Sequence, residues 1–335
     1  MAQHFLLSSR ARKLSLMQIA KMSDSEAVKA FADIRWHSNG GNPICPNCGN
    51  TSKIYLITTR NEYKCNECHK RFSVTSETLF HSHKLPLQTL LCAIVLFVNA
   101  VKGISALQLS RDLDIQYKSA FVLLHKLRES LIDYQSDEPF SGVCEIDGVY
   151  VGNYIRPKNN INDRIDRRKA FKPNKRVVIS LRQRDELGSG ANKSRTFILK
   201  SENTFDINNI VCKHILRGSE VHTDENVGYS DLSAYYTHKV VNHAVEYMGS
   251  GGENNNQSES YNARFRRLEY GQCHKLSVLY LSNYANKISY REDTRRLDNG
   301  AIFKDILGKC LNKPISNEFC GYWQGNHRVN ERLGA

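Results

Sequence analysis

The sequence has no apolar run long enough to cross a bilayer. Its longest strongly apolar stretch, Leu90 to Val101, reads as a buried helix instead. The N-terminus lacks a long apolar core followed by a small-residue cleavage site, so no signal peptide is expected. Proline is scarce, at 7 residues, and with 40% hydrophobic and 24% charged residues the chain has the composition of a soluble, globular protein. No internal repeat is apparent, and no constellation argues for a covalent protein intermediate. Acidic residues are outnumbered, 34 against 47 Lys and Arg, which gives a net charge of +13 and makes a polyanion the natural partner. Cysteine is plentiful, at 10, but four sit in two tight pairs and six are scattered singly. That distribution points to a reducing compartment and a metal site rather than a disulfide framework.

With 335 residues the chain is long enough for two or three domains. Residues 1–42 read as a helical lead-in, with Asp24 or Ser25 as N-cap and a stop at Gly40-Gly41. Residues 43–74 carry two cysteine knuckles separated by an alternating, strand-like run with a turn at Arg60-Asn61. Residues 75–136 begin with the apolar helix, expected to end near Gly103, and continue with "SALQLSRDL" and "YKSAFVLLHKLRESL" joined by "DIQ". This is the outline of a helix-turn-helix, whose second helix enters a major groove. On that helix Lys118, Lys126 and Arg128 are expected to face DNA. An ordinary three-helix unit has the same outline; the neighbouring ribbon and the basic charge favour DNA.

From residue 140 to 292 the period changes to strands: three in succession, then helix, strand, helix, strand and a closing helix from Gln257, a mixed α/β sheet. Residues 293–335 form a tail containing Trp323, expected to dock on this domain or on a second subunit.

Two constellations carry chemistry. Cys45, Cys48, Cys65 and Cys68 follow C-x2-C-x16-C-x2-C, the spacing of four thiolates around a tetrahedral, structural zinc with no open position. The second is acidic. Asp147 sits inside an apolar strand, where an acid is expensive unless paired or bound to a cation. Asp224 ends another strand, and Glu259 opens a helix after an Asn-rich loop. Converging, the three can hold a pair of divalent ions for phosphoryl transfer. Singly, each also has an ordinary role, as a buried turn acid, a helix cap and a favourable N-terminal helix charge.

The order of ribbon, helix-turn-helix and a strand-rich domain with "EIDGVYVG", "HTDEN" and "NNNQSES" resembles bacterial zinc-ribbon DDE transposases, specifically the insertion-sequence family numbered fifteen ninety-five. The resemblance runs from "FADIRWHSNGG" to "YLSNYANKISYRED", most of the chain. It implies a multidomain α+β protein: zinc ribbon, helix-turn-helix and an RNase H-like mixed α/β catalytic domain that cuts and rejoins DNA with two Mg2+ or Mn2+ ions. Asp147, Asp224 and Glu259 match the family's acids in turn, and Asn256, three positions before Glu259, is able to share the site. Arg266, seven positions past Glu259, matches a basic residue that holds a DNA phosphate.

Relatives often carry a second acid directly after the first aspartate, where this chain has Gly148; Glu145, two residues back on the same strand face, then becomes a candidate helper at the metal site. The loop Asn153 to Arg176 holds nine Lys and Arg against two Asp and is expected to reach a phosphate backbone through Arg164, Arg167, Arg168 and Lys169. His222 and His243 are candidates to line the cleft, with packing or DNA contacts ranked ahead of a catalytic part. The partners implied are double-stranded DNA, as element ends and target, and further copies of the chain in a homo-oligomer on DNA. No membrane is expected, and the location implied is the bacterial cytoplasm, at the nucleoid. The alternative function is a domesticated, catalytically silent DNA-binding regulator on the same scaffold.

Overall fold

A computed structural model describes residues 5–132, 138–152, 156–166, 170–185, 190–241 and 253–334. The chain divides into two compact units, Met1–Tyr134 with Thr294–His327, and Gln135–Asp293 with Arg328–Ala335.

In the first unit, helices α1 (Leu16–Ala20) and α2 (Asp24–Arg35) each start with a capping box, Ser15 with Gln18 and Ser23 with Glu26. The N-cap of α2 is therefore Ser23, one residue before the expected position, because Ser23 is the residue that exchanges hydrogen bonds with Glu26. A 3-10 turn follows, and the chain leaves it at Gly40 with φ +61, a conformation that glycine adopts without strain. Strands β1 (Ile54–Ile57), β2 (Glu62–Cys65) and β3 (Arg71–Phe72) form an antiparallel sheet. Trp36, Tyr63 and Phe72 pack edge-on and stacked behind it, giving a ribbon with few aliphatic residues a small aromatic core.

Helix α3 (Leu87–Asn99) is apolar on nearly every side and is buried along most of its length; it ends four residues before Gly103. Then come α4 (Ala106–Asp112), capped by Ser105, and α5 (Tyr117–Glu129), joined by a tight turn in which Asp114 takes φ +50. Among the described residues no helix is long and apolar enough to cross a membrane.

The second unit is built on one five-stranded sheet. Strands β4 (Val143–Val151), β5 (Arg176–Arg184) and β6 (Ala191–Leu199) are antiparallel neighbours; β7 (Glu220–Thr223) runs parallel to β4, and β8 (Thr237–Val240) parallel to β7. The spatial order is β6-β5-β4-β7-β8. Strand alternation sorts β4 between two cores. Cys144 and Ile146 face a cluster with Ile179, Leu181, Phe197 and residues Ile207, Ile210 and Val211 of α6 (Thr204–His214). Val149 and Val151 face the opposite cluster, where α7 (Asn256–Leu268) and α8 (Leu281–Asp293) contribute Tyr261, Phe265, Leu281 and Ile288. Glu145 and Asp147 share that second face by register. The expected helix at "SDLSAYYT" is a 3-10 helix, Val227–Ala234.

The tail departs from expectation. Residues 294–327 belong to the first unit, where α9 (Asn299–Asn312) is capped by Asp298 and packs on α2 and α3. The segment after it lies along α5: Ser316 donates to Glu129 at 2.6 Å, Phe319 stacks on His125, and Trp323 donates to the Lys118 carbonyl at 3.2 Å. Residues 328–335 belong to the second unit, where Glu331 pairs with Arg176. A hydrophobic pattern alone does not say which core receives such a segment.

Ile179 is fully buried at the middle of the sheet. We expect Ile179→Ala to lower unfolding free energy by about 2–5 kcal/mol, read as a lowered urea midpoint at unchanged slope.

Candidate active site and zinc centre

The four cysteine sulfurs converge, all lying within 4.8 Å of one another. The Cys45–Cys68 and Cys48–Cys65 pairs are each 3.6 Å apart. Four Zn–S bonds of about 2.3 Å in a tetrahedron put sulfurs about 3.8 Å apart, so the donor set and its spacing fit zinc. The knuckle turns hold the geometry: Gly49 N–H donates to the Cys45 carbonyl, and Cys65 N–H to the Lys70 carbonyl.

In the second unit, α7 is seated on β4 by Glu145. This carboxylate is 0% exposed. Its Oε1 accepts from Arg184 Nε at 2.6 Å, and its Oε2 from the backbone N–H of Gln257 at 2.7 Å and of Ser258 at 3.1 Å. The N-cap residue Asn255 makes no side-chain cap of its own, so Glu145 takes that part from the neighbouring strand and places negative charge on the helix N-terminus. Its charge is met by the Arg184 guanidinium and by the helix N-terminus, so Glu145 anchors the helix that carries Glu259 in place of the metal-site helper that the sequence suggested.

The Asn-rich loop is fastened beside it. Arg184 Nη2 donates to both the carbonyl and the side-chain oxygen of Asn254, and Asn255 Nδ2 donates to the Ile146 carbonyl at 3.2 Å. His222 is buried in the same clamp, with Nε2 2.6 Å from Glu220 and Nδ1 3.0 Å from the Asn254 carbonyl. It therefore braces the loop rather than lining a cleft. His243 lies outside the described residues.

Two residues along β4 from Glu145, Asp147 meets the other acids. Its Oδ1 accepts the Gly148 N–H at 2.7 Å and its Oδ2 accepts Asn262 Nδ2 at 2.7 Å, one turn past Glu259 on α7. Burial, then the charges of Asp224, Glu202 and Glu259, push the Asp147 carboxyl up to about 7. The structure thus brings Asp147, Asp224 and Glu259 together and adds Glu202, from the turn between β6 and α6. Sequence reasoning passed over Glu202 because "KSENTF" has no motif, and over Asn262 although its spacing from Glu259 puts both on one helix face. The acids are less tightly drawn than the cysteines, the four thiols being the only such group among the described residues whose ligand atoms all fall within 4.8 Å. A carboxyl raised by burial and by neighbouring acids belongs to a donor set that a divalent cation fits, since the cation compensates both the lost hydration and the repulsion. Asn256 is exposed at the first turn of α7, its N–H 3.4 Å from Asn254 Oδ1.

The expected DNA-facing residues separate. Lys118 is exposed on the first turn of α5, its ammonium 5.0 Å from the Trp323 ring. Lys126 is half-buried, and burial pulls its ammonium down. Both line a groove of about 590 Å³ with His83, Lys84 and Tyr322. Arg128 is 2% exposed, a correction to the sequence expectation: its position falls on the packed face of α5. Arg164 is exposed and donates to the Lys158 carbonyl, while Arg167, Arg168 and Lys169 lie outside the described residues. Arg266 pairs with Glu269 at 2.9 Å beside the Tyr270 ring.

Three outcomes follow from this geometry. Glu145→Ala leaves Arg184 and the α7 amides without their acceptor, and should cost about 3–5 kcal/mol in urea unfolding. Without added divalent ions, Asp147 holds its proton in the folded state between about pH 4 and 7, where the unfolded chain has lost it. Its contribution to stability therefore falls as pH rises through that window, and a pH series of urea midpoints should flatten in Asp147→Asn. Purified protein should carry one zinc per chain by elemental analysis, and stripping it should lower both the thermal midpoint and the affinity for DNA.

Two family models match the chain. Residues 139–293 match the ISXO2-like transposase domain and residues 22–71 the transposase zinc-ribbon domain, both models of the IS1595 family. No curated protein matches the chain.

Proposed function

Because the chain belongs to the IS1595 family of transposases, we propose that it cleaves DNA at the ends of an insertion sequence and joins those ends to a target. The observation that carries this reading is the convergence of Asp147, Asp224 and Glu259, from a central strand, the end of the neighbouring parallel strand and a packed helix. The strand order, three antiparallel strands with two parallel ones beyond β4, supports an RNase H-like domain. The tight turn between α4 and α5 supports a helix-turn-helix.

Asp147, Asp224 and Glu259 would hold two Mg2+ or Mn2+ ions. Bound there, the ions would supply Lewis-acid activation of the attacking oxygen, from water or a DNA 3'-hydroxyl, and charge stabilisation at the leaving oxygen. The protein's own part is placement. Gly148 N–H and Asn262 fix the two oxygens of Asp147, so the carboxylate does not have to reorganise when a cation or substrate arrives. Glu145 and Arg184 hold the N-terminus of α7, which fixes where Glu259 emerges. Asn256 would shape the loop entry and stay outside the ligand set. Arg266 would exchange Glu269 for a DNA phosphate, and the basic loop containing Arg164, Arg167, Arg168 and Lys169 would follow the backbone beside the scissile bond. In the first unit, Lys118, at the exposed start of α5, would approach DNA together with Lys126 from the same groove.

Asp147→Asn, Asp224→Asn and Glu259→Gln should each reduce strand cleavage and strand transfer with Mg2+ at least about 100-fold while retaining binding to the element ends. Asn256→Ala should stay within a few-fold of wild type in the same assay. An active Glu259→Gln beside an inactive Asn256→Ala would overturn the ligand assignment, and cleavage without joining would leave a nuclease.

A further inference from the structure

We propose that Glu202 is a fourth carboxylate ligand of the divalent-cation site, an assignment that rests on Asp147, Asp224 and Glu259 being ligands of that site. Glu202 lies in the turn that leads from β6 into α6, and two features of the fold put its carboxylate among the other acids.

The first is Gly148. A side chain at this position would overlap the Glu202 carboxylate, which therefore packs on the bare backbone of the residue following Asp147. The same residue's N–H holds Asp147 Oδ1, so Gly148 joins the two acids directly. The second is Asn226. Its backbone N–H donates to Asp224 Oδ1 at 3.1 Å, and its side-chain Nδ2 donates to Glu202 Oε2 at 3.2 Å. One residue thus holds the second acid and Glu202 side by side. Asn226 is itself fixed, because its Oδ1 accepts the Gly228 N–H at 2.9 Å where the 3-10 helix begins.

The remaining oxygen of Glu202 accepts the hydroxyl of Tyr229 at 2.7 Å, a side chain 1% exposed. These donors, an amide and a phenol, are neutral. They orient the carboxylate but leave its charge uncompensated beside Asp147 and Asp224. Satisfying a buried tyrosine hydroxyl requires only an oxygen acceptor, which an amide supplies as well as an acid does. What an acid adds at this place is charge and a further hard oxygen, the donor that Mg2+ and Mn2+ prefer. The contrast with Glu145 is informative: there an arginine and the N-terminus of a helix compensate the carboxylate, whereas each Glu202 oxygen accepts only a neutral donor and keeps lone-pair capacity for a cation.

The test is Mn2+ binding to the zinc-loaded, full-length protein, with free Mn2+ counted by electron paramagnetic resonance, for wild type, Glu202→Gln and Asp147→Asn. Glu202→Gln keeps an acceptor for Tyr229 and removes one negative charge. It should weaken Mn2+ binding about tenfold or more, with a melting temperature, measured without added divalent ions, equal to or above that of wild type. Wild-type affinity in Glu202→Gln beside weakened Asp147→Asn would overturn the Glu202 assignment alone. A lowered melting temperature in Glu202→Gln would assign it a structural part and overturn the proposal likewise. Wild-type affinity in Asp147→Asn would overturn the reading of the whole site, and this assignment with it.

Discussion

The second unit depends on one buried carboxylate. Glu145 links three elements at once: its own strand β4, the neighbouring strand β5 through Arg184, and the N-terminus of α7 through two backbone amides. Taking a carboxylate out of water is costly, and that cost is offset here by a charge-assisted bond and by the positive end of a helix. The result is geometric. Asp147 stands two residues further along the same face of β4, and Glu259 stands in the first turn of α7, so the separation of the two acids is set by a clamp that neither belongs to.

Around that clamp the unit holds two opposite electrostatic regimes. Arg182, fully buried, pairs with Glu292 at 2.9 Å, and Arg264 pairs with the same carboxylate, so beneath α7 and α8 a buried acid meets basic side chains. At the middle of β4 acids lie near acids instead, and burial together with these like charges drives Asp147 far above its ordinary titration range.

Much of this was legible in the chain. The cysteine spacing set out the ribbon because a knuckle is a local turn, and the strand periods of "EIDGVYV" and "VVISLRQ" set out the sheet because a period of two is also local. The Asn-rich loop could be recognised as an entry to a helix, but not what its asparagines do: Asn254 meets Arg184 and Asn255 meets the Ile146 carbonyl across long stretches of sequence. Glu145 and Glu202 illustrate the limit. Both are single acids near a motif, and only packing separates the one that is consumed by a helix end from the one that faces other carboxylates. Arg128 failed for a similar reason, since a basic residue on an amphipathic helix is assigned to solvent until the neighbouring core is known.

The path of the chain has one more consequence. Helix α9 packs on α2 and α3 of the first unit, yet it is encoded after the whole of the sheet and its covering helices. During synthesis the amino-terminal unit therefore waits, with the apolar seat of α9 uncovered, until residues 135–293 of the second unit have been made. Residues 328–335, which complete the second unit, are made later still, so neither unit closes until the end of the chain has been made.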